Sequence, residues 1–357
     1  LTVRWGITPN LTLTGTYNPD FSQVEADVAQ LAVNERFALF FEEKRPFFLE
    51  GLDFFSTPIN AVYTRTVVAP DWGGKITGKV AKNAIGAFAA GDTVTPLLFP
   101  SNQGTDSVLL EESNTSGVVR YRRDVGATST LGVIYAGREG DGYHNRVGGI
   151  DGLFRVTAKD TITFQYLYSD TLYPGEISEE FDQPTGSFSG DSYLIDYDHK
   201  SRKWFWSLSY EDRAPELRLD SGFMPRVDTR EADIFILRTF WDEKDRWWDQ
   251  WRLGATAERT EDHDGELTDE TWDFFVDLRG PLQSFVRVGV ARDKILTQGV
   301  LYEDMDGALL FGEFQPSGAL KLELLAISGE AVDFANNRPG DELLLEPGLE
   351  AKLGKHV

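Results

Sequence analysis

Thr271–Arg279 reads TWDFFVDLR, and its side chains fall into two sets. Successive side chains of an extended strand point to opposite faces. Trp272, Phe274, Val276 and Leu278 therefore share one face, and Asp273, Phe275, Asp277 and Arg279 share the other. The division recurs upstream. In TITFQYLYSD, residues 161–170, Ile162, Phe164, Tyr166 and Tyr168 oppose Thr161, Thr163, Gln165 and Ser169. In KWFWSLSY, residues 203–210, Trp204, Trp206, Leu208 and Tyr210 oppose Phe205, Ser207 and Ser209. One face is greasy and the other polar or charged, which is the pattern of a two-faced β-sheet.

A soluble sandwich alternates in the same way, so strand length and turn asymmetry carry the distinction. Candidate strands run from Leu1–Tyr17, resume at Ala61–Val68, and continue through Ile295–Tyr302 to Glu342–Lys352. Many span about nine to eleven residues, the length a tilted strand needs to cross a bilayer. Tight turns at 123–128, 159–160 and 200–202 contrast with long segments at 172–191, 213–231 and 261–270. Short turns on one side and long loops on the other mark transmembrane barrels. The expected fold class is all-β, an antiparallel transmembrane β-barrel. No fixed-period repeat suggests a propeller or solenoid.

The composition of the 357 residues narrows the function classes. With 58 acidic against 35 basic residues, the formal net charge is -23, and a nucleic-acid partner, which needs a basic footprint, is excluded. There is no cysteine, hence no disulfide framework and no thiol nucleophile. Nine Trp, twelve Tyr and 24 Phe against two Met suit strands better than helices. No basic n-region with an apolar h-region opens the chain. No apolar run reaches the length of a spanning helix; Ala84–Phe99 is interrupted by Asp92. The closing residues LGKHV read as a strand that continues beyond Val357.

Residues 1–17 read as a strand pair, 61–357 as barrel strands, and 18–60 as a mixed, plug-like insert between them. The insert carries five Phe between Phe37 and Phe48 around Glu42, Glu43, Lys44 and Arg45, and Pro46 forbids one continuous helix through the run. Val24, Val28 and Leu31 suit a helix, while Val24, Ala26 and Val28 equally suit a strand. Charges buried in a lumen must be compensated. The plug or constriction candidates are therefore Asp20, Glu25, Asp27, Glu42, Glu43, Lys44, Arg45, Phe47, Phe48 and Glu50, with Arg120, Arg122 and Asp273 as lumen-facing partners for the charged knot.

The insert also carries a family pattern. NPDFSQVEAD from Asn18, RFALFFEEKRPFFLEG ending at Gly51, VYTR at 62–65 and DWGGKITGK at 71–79 resemble a bacterial outer-membrane barrel family of unknown function. That family lies C-terminal to a domain like carbohydrate-binding module family 9. The similarity is strong over residues 10–95, and the commoner form of the motif carries Pro where Glu42 stands. The resemblance implies a place in the bacterial outer membrane, outer-membrane lipid as the surrounding partner, and carbohydrate reached through an N-terminal domain outside this sequence. It implies no reaction.

Searches for chemistry return nothing. Gly73, Gly74, Lys75 and Gly78 lack the spacing of a phosphate loop, and neither HExxH nor GxSxG occurs. His144, His199, His263 and His356 are scattered. An EF-hand started at Asp262 puts Leu267 where Gly is needed and Asp273 where the bidentate Glu belongs. No catalytic residue, metal site or cofactor is expected. Trp241, Trp247, Trp248, Trp251 and Trp272 suit an aromatic girdle at a membrane interface, core packing, or a sugar-stacking platform. The expected function is a channel, a transporter, or a membrane anchor for an envelope carbohydrate-binding domain. The alternative is a soluble or surface all-β carbohydrate-binding or carbohydrate-active protein.

Overall fold

A computed structural model describes residues 1–19, 34–244, 246–352 and 354. The chain is all-β and antiparallel. Its strands are β1 (Thr2–Thr8), β2 (Leu11–Tyr17), β3 (Pro70–Val80), β4 (Asn83–Asp92), β5 (Thr95–Pro100), β6 (Thr105–Leu110), β7 (Asn114–Val125), β8 (Ser129–Gly140), β9 (Tyr143–Arg155) and β10 (Asp160–Leu172). They continue with β11 (Phe188–Lys200), β12 (Trp204–Arg213), β13 (Thr229–Trp241), β14 (Gln250–Glu261), β15 (Leu267–Gly280), β16 (Ser284–Thr297), β17 (Val300–Ser317), β18 (Leu320–Asp333) and β19 (Arg338–Ala351). Seventeen of them form one sheet, and β5 and β6 form a separate hairpin. Among the described residues helix is confined to the short helices α1 (Pro46–Leu49) and α2 (Gly175–Glu180) and two 3-10 turns. No helix among the described residues is long and apolar enough to cross a membrane.

The chain divides into two compact units. In the first, comprising residues 1–156, 161–196 and 211–230, β1 pairs β2, and the ladder continues through β3, β4, β7, β8, β9 and β10. The register sorts side chains by face. On one face Arg120 lies opposite Ile134 and Gly149 opposite Leu167; in the next rows come Val118, Ala136, Val147 and Ser169, then Ser116, Arg138, Asn145 and Thr171. All of these side chains are buried. On the opposite face Ile85, Val119, Val133, Tyr135, Ile150, Tyr166 and Tyr168 are exposed.

The buried face is covered by chain that contributes little to the sheet. Phe55, Ile59 and Ala61 from one segment, and Leu217, Leu219, Met224 and Val227 from another, pack with Phe88, Val118, Ile134, Ala136, Val147 and Leu167 into one hydrophobic cluster. The first segment, residues 34–69, includes the described part of the stretch 18–60 expected as an insert. It runs past residue 60, because Ala61–Val68 is not a strand: a 3-10 turn at Thr64–Thr66 interrupts it and turns the Thr64 and Val67 carbonyls toward Arg45. The second segment, within 213–231, was expected as an outer loop and instead folds onto the sheet. Burial of its four apolar side chains accounts for the difference. A second cluster joins the β5–β6 hairpin to the loop bearing α2 through Leu97, Phe99, Tyr143, Tyr173 and Ile177.

In the other unit, residues 157–160, 197–210 and 231–357, β14 to β19 pair consecutively. Here Ile295–Tyr302 is a hairpin, not one strand. Gln298 and Gly299 take φ of 47° and 75°, the left-handed pair that reverses a chain in two residues. The segment 261–270 shrinks to a short turn between β14 and β15, so long loops occur in the first unit only among the described residues.

Candidate functional site

The charged knot is built around Glu43. Its Oε1 accepts the backbone N–H groups of Lys44 at 3.0 Å and Arg45 at 2.8 Å, and Nε of Arg45 at 2.8 Å. Its Oε2 accepts Nη2 of Arg45 at 2.7 Å and Oγ1 of Thr64 at 2.7 Å. Pro46 at the first position of α1 stops helix from continuing back through Arg45, leaving that residue extended. The Arg45 guanidinium spends its other donors on the Val67 and Thr64 carbonyls and lies 4.3 Å from the centre of the Phe48 ring. Burial pushes the Glu43 carboxyl up, but the bonds from Arg45 and Thr64 outweigh it and hold the group below its ordinary range.

The aromatic part of the segment packs beneath this pair. Phe47 and Phe48 meet edge to face at 5.0 Å and form a cluster with Val67 and Ala90. Lys75, from β3, donates its ammonium to the Phe47 and Glu50 carbonyls, and Glu50 pairs with Arg4 at 2.7 Å. Glu42 is exposed and offers its carbonyl to Arg65 at 3.1 Å. The structure thus brings Glu43, Arg45, Phe47, Phe48 and Glu50 together against β1 and β3. Asp20, Glu25 and Asp27 lie outside the described residues.

Arg120 was expected to compensate the knot, yet it is paired elsewhere. It meets Asp151 at 2.6 and 2.7 Å, lying across Gly132, where a Cβ would come within 2.3 Å of its guanidinium. Glu43 and Arg45 neutralise each other, which removes the need for a partner on the sheet.

A second buried polar cluster was missed in the sequence. Arg138 donates to the carbonyls of Pro96 at 2.8 Å, Asp220 at 3.1 Å and Thr66 at 3.2 Å. It thereby ties together the hairpin, the folded-in loop and the segment 34–69. The Asp220 carboxylate accepts the hydroxyls of Tyr143 at 2.7 Å and Tyr173 at 3.1 Å. Asn145 donates to the Arg218 carbonyl at 2.9 Å. Burial pushes the Asp220 carboxyl above its usual range, against the opposing pull of the Tyr143 hydroxyl and the Arg138 guanidinium. Burial likewise lowers Arg218. Beside this cluster a cavity of about 170 Å³ is lined by Tyr63, Arg65, Leu98, Asp220, Phe223 and Met224 among others. The signal that could have located the loop is its composition: Leu217, Leu219, Phe223 and Met224 within eight residues are too apolar for a solvated loop.

In the other unit, polarity is distributed as on a sheet turned inside out. Asp277 is 1% exposed and binds Arg252 and Arg287, the latter at 2.6 and 3.0 Å. Its chain neighbour Val276 is 46% exposed, and Phe274, Val288 and Val290 exceed half. These side chains lie in continuous cross-strand rows, exposed except for the half-buried Ala255 and Ala326: Leu253, Val276, Val288, Leu310, Ala326 and Leu345 make one, and Ala255, Phe274, Val290, Ala308, Ser328 and Leu343 the next. Beyond them the row through Trp272 carries Arg292 paired with Asp306 at 2.7 Å.

The tryptophans divide by position. Trp241, Trp247 and Trp272 are exposed and Trp248 and Trp251 half-buried, which excludes plain core packing for the first three. Trp251 stacks on Phe240 at 4.3 Å and lies opposite Leu278. Trp272 stands six residues farther along β15, about 20 Å away. Trp241, Trp247, Trp248 and Trp251 therefore sit at one end of the apolar rows and Trp272 at the other. Among the described residues no group of His, Asp and Glu is arranged to hold a metal.

Comparisons with known proteins follow this geometry. Residues 1–81 match the model of a family described as a domain of unknown function (DUF5916). A search of curated proteins returns no match. Among solved structures, the chain is similar to BamA from Haemophilus ducreyi lacking POTRA domains 1–3, with a TM-score of 0.39 and 9% identity, over 83% of this chain and 76% of that one. Neither description names a carbohydrate-binding domain.

Proposed function

We propose that the protein is an outer-membrane β-barrel whose apolar rows face lipid and whose first unit is plugged by residues 34–69 and 214–228. The carrying observation is the inverted polarity of both units: Arg120, Arg138, Asn145, Asp151 and Asp277 are buried, while Val119, Val133, Phe274, Val288 and Val290 are exposed. In water this arrangement forfeits the hydrophobic gain of folding. In a bilayer it is the favourable one, because the outer face meets acyl chains and polar groups pair inside.

The plug bears on the choice among channel, transporter and anchor. Its apolar cluster and the Arg138 bonds fill the sheet's polar face in the first unit, which favours an anchor or a gated transporter over a permanently open channel. Carriage of an envelope carbohydrate-binding domain rests on the family resemblance. The test is electrophoretic migration with and without boiling, on protein extracted in detergent. A membrane barrel runs faster unheated and precipitates when detergent is removed. A protein that stays monomeric in buffer, with unchanged migration on heating, overturns the reading.

A further inference from the structure

We infer that the outer face beside Arg238 holds one anionic phospholipid, its phosphate on the guanidinium and an acyl chain in the groove alongside. The inference rests on the membrane reading above and adds a specific lipid site to it.

Arg238 belongs to the exposed apolar face of β13, in step with Ile234 and Ile236, which are 46% and 44% exposed. Its guanidinium lies 4.6 Å from the centre of the Trp204 ring and 5.3 Å from that of Phe240. The buried and half-buried arginines Arg45, Arg120, Arg138, Arg252 and Arg287 each meet a carboxylate or a carbonyl. Arg238 meets two rings, and no carboxylate among the described residues lies within ion-pair distance of it. An arginine facing lipid is costly unless its charge is answered, and a planar guanidinium fits phosphate oxygens bidentately.

Its position supplies the rest of the site. The Asp242 N–H donates to the Asp249 carbonyl at 2.9 Å, which places Arg238 level with Leu253, one row inside the end marked by Phe240 and Trp251. An open groove of about 820 Å³ begins there, lined by Ile236, Leu253, Ala255, Phe274 and Val290. The neighbouring turn adds exposed Lys200, Arg202 and Lys203. Arg202 accepts the Trp241 indole N–H on its carbonyl at 2.9 Å. The Asp242 carboxylate is engaged by the Lys244 and Arg246 N–H groups. In a chain of net charge -23, a cationic turn beside an indole and an unanswered arginine suits an anionic headgroup at the interface.

The test uses the whole chain reconstituted in phosphatidylcholine vesicles with a minor fraction of brominated phosphatidylglycerol or brominated phosphatidylcholine. Bromine quenches indole fluorescence on contact, and the difference between the wild type and Trp204→Phe isolates Trp204. The site predicts about fivefold tighter association of the anionic lipid with Trp204, a preference abolished by Arg238→Gln and reduced by Arg202→Gln with Lys203→Gln. If Arg238→Gln does not insert, the paired turn substitution carries the comparison. Equal quenching by the two lipids in the wild type, or a preference surviving these substitutions, overturns the site and leaves the membrane reading standing. A wild type that does not enter vesicles overturns the membrane reading itself.

Discussion

At the scale of single residues, the segment 34–69 is held by charges that answer one another locally. Glu43 and Arg45 have side chains only 3% and 12% exposed, so removing one partner strands the other. Glu43→Gln is expected to cost about 3 kcal/mol, read as a lower urea midpoint and faster proteolysis within residues 34–69. The sign of the pH effect follows from the depressed carboxyl. Its stabilisation is complete above the ordinary value of 4.5 and fades as pH falls through the lower folded value. Glu43→Gln should remove that acid step. Asp220 works the other way: its raised carboxyl favours the folded state at low pH, and that contribution is lost as pH rises through the folded value. Asp220→Asn should flatten this loss on raising the pH while keeping an acceptor for Tyr143 and Tyr173. A pH profile of unfolding unchanged in both variants would contradict the assignments.

At the scale of elements, close approach explains several glycines better than turns do. Gly132 gives Arg120 room to reach Asp151, so Gly132→Ala should destabilise the first unit by about 1–3 kcal/mol through overpacking. A substitution at Gly117, which meets nothing within 4 Å, is the control in the same unfolding measurement. The period of two was legible in the sequence wherever a strand has one lipid-like and one polar face, as in Thr271–Arg279 and Thr161–Asp170. The insert was legible through Pro46 and its density of Phe. Three features were not. Ala61–Val68 has strand composition, but its conformation is set by Arg45 drawing on the Thr64 and Val67 carbonyls, a contact local sequence does not encode. The β5–β6 hairpin is obscured by Pro96 and Pro100, which read as breakers. The hairpin at Gln298–Gly299 lies between the short apolar runs Ile295–Leu296 and Val300–Tyr302, and only the Gly marks it as a turn.

At the scale of the whole molecule, inverted polarity and the position of the aromatic residues point to the same environment. The apolar rows of the second unit end in tryptophans on one side and in the Arg292–Asp306 row on the other, the boundaries expected of a lipid-facing band. A charge placed within the band should be costly in proportion to its depth. Val288→Arg should lose about 2–4 kcal/mol of stability in vesicles, whereas Asp341→Arg, on the same face in β19 but opposite Glu330 at the edge of the band, should lose much less. Equal losses at the two sites, measured by urea unfolding from vesicles, would contradict a lipid-facing band. The candidate site was half visible at this scale. Residues 42–50 stand out in the sequence by their charge and Phe, but the loop that packs over the same sheet face joins positions more than 70 residues apart, as when Asn145 bonds Arg218.

The absence of cysteine makes the most direct test a clean one. Single cysteines placed in turn from Trp272 to Leu278 can be spin-labelled in the reconstituted protein, and collisions with oxygen dissolved in lipid compared with collisions with a water-soluble nickel chelate. The account predicts a period of two: labels at 272, 274, 276 and 278 collide with oxygen, and those at 273, 275 and 277 are shielded from lipid. Labels at 274, 276 and 278 that collide chiefly with the nickel chelate would contradict it.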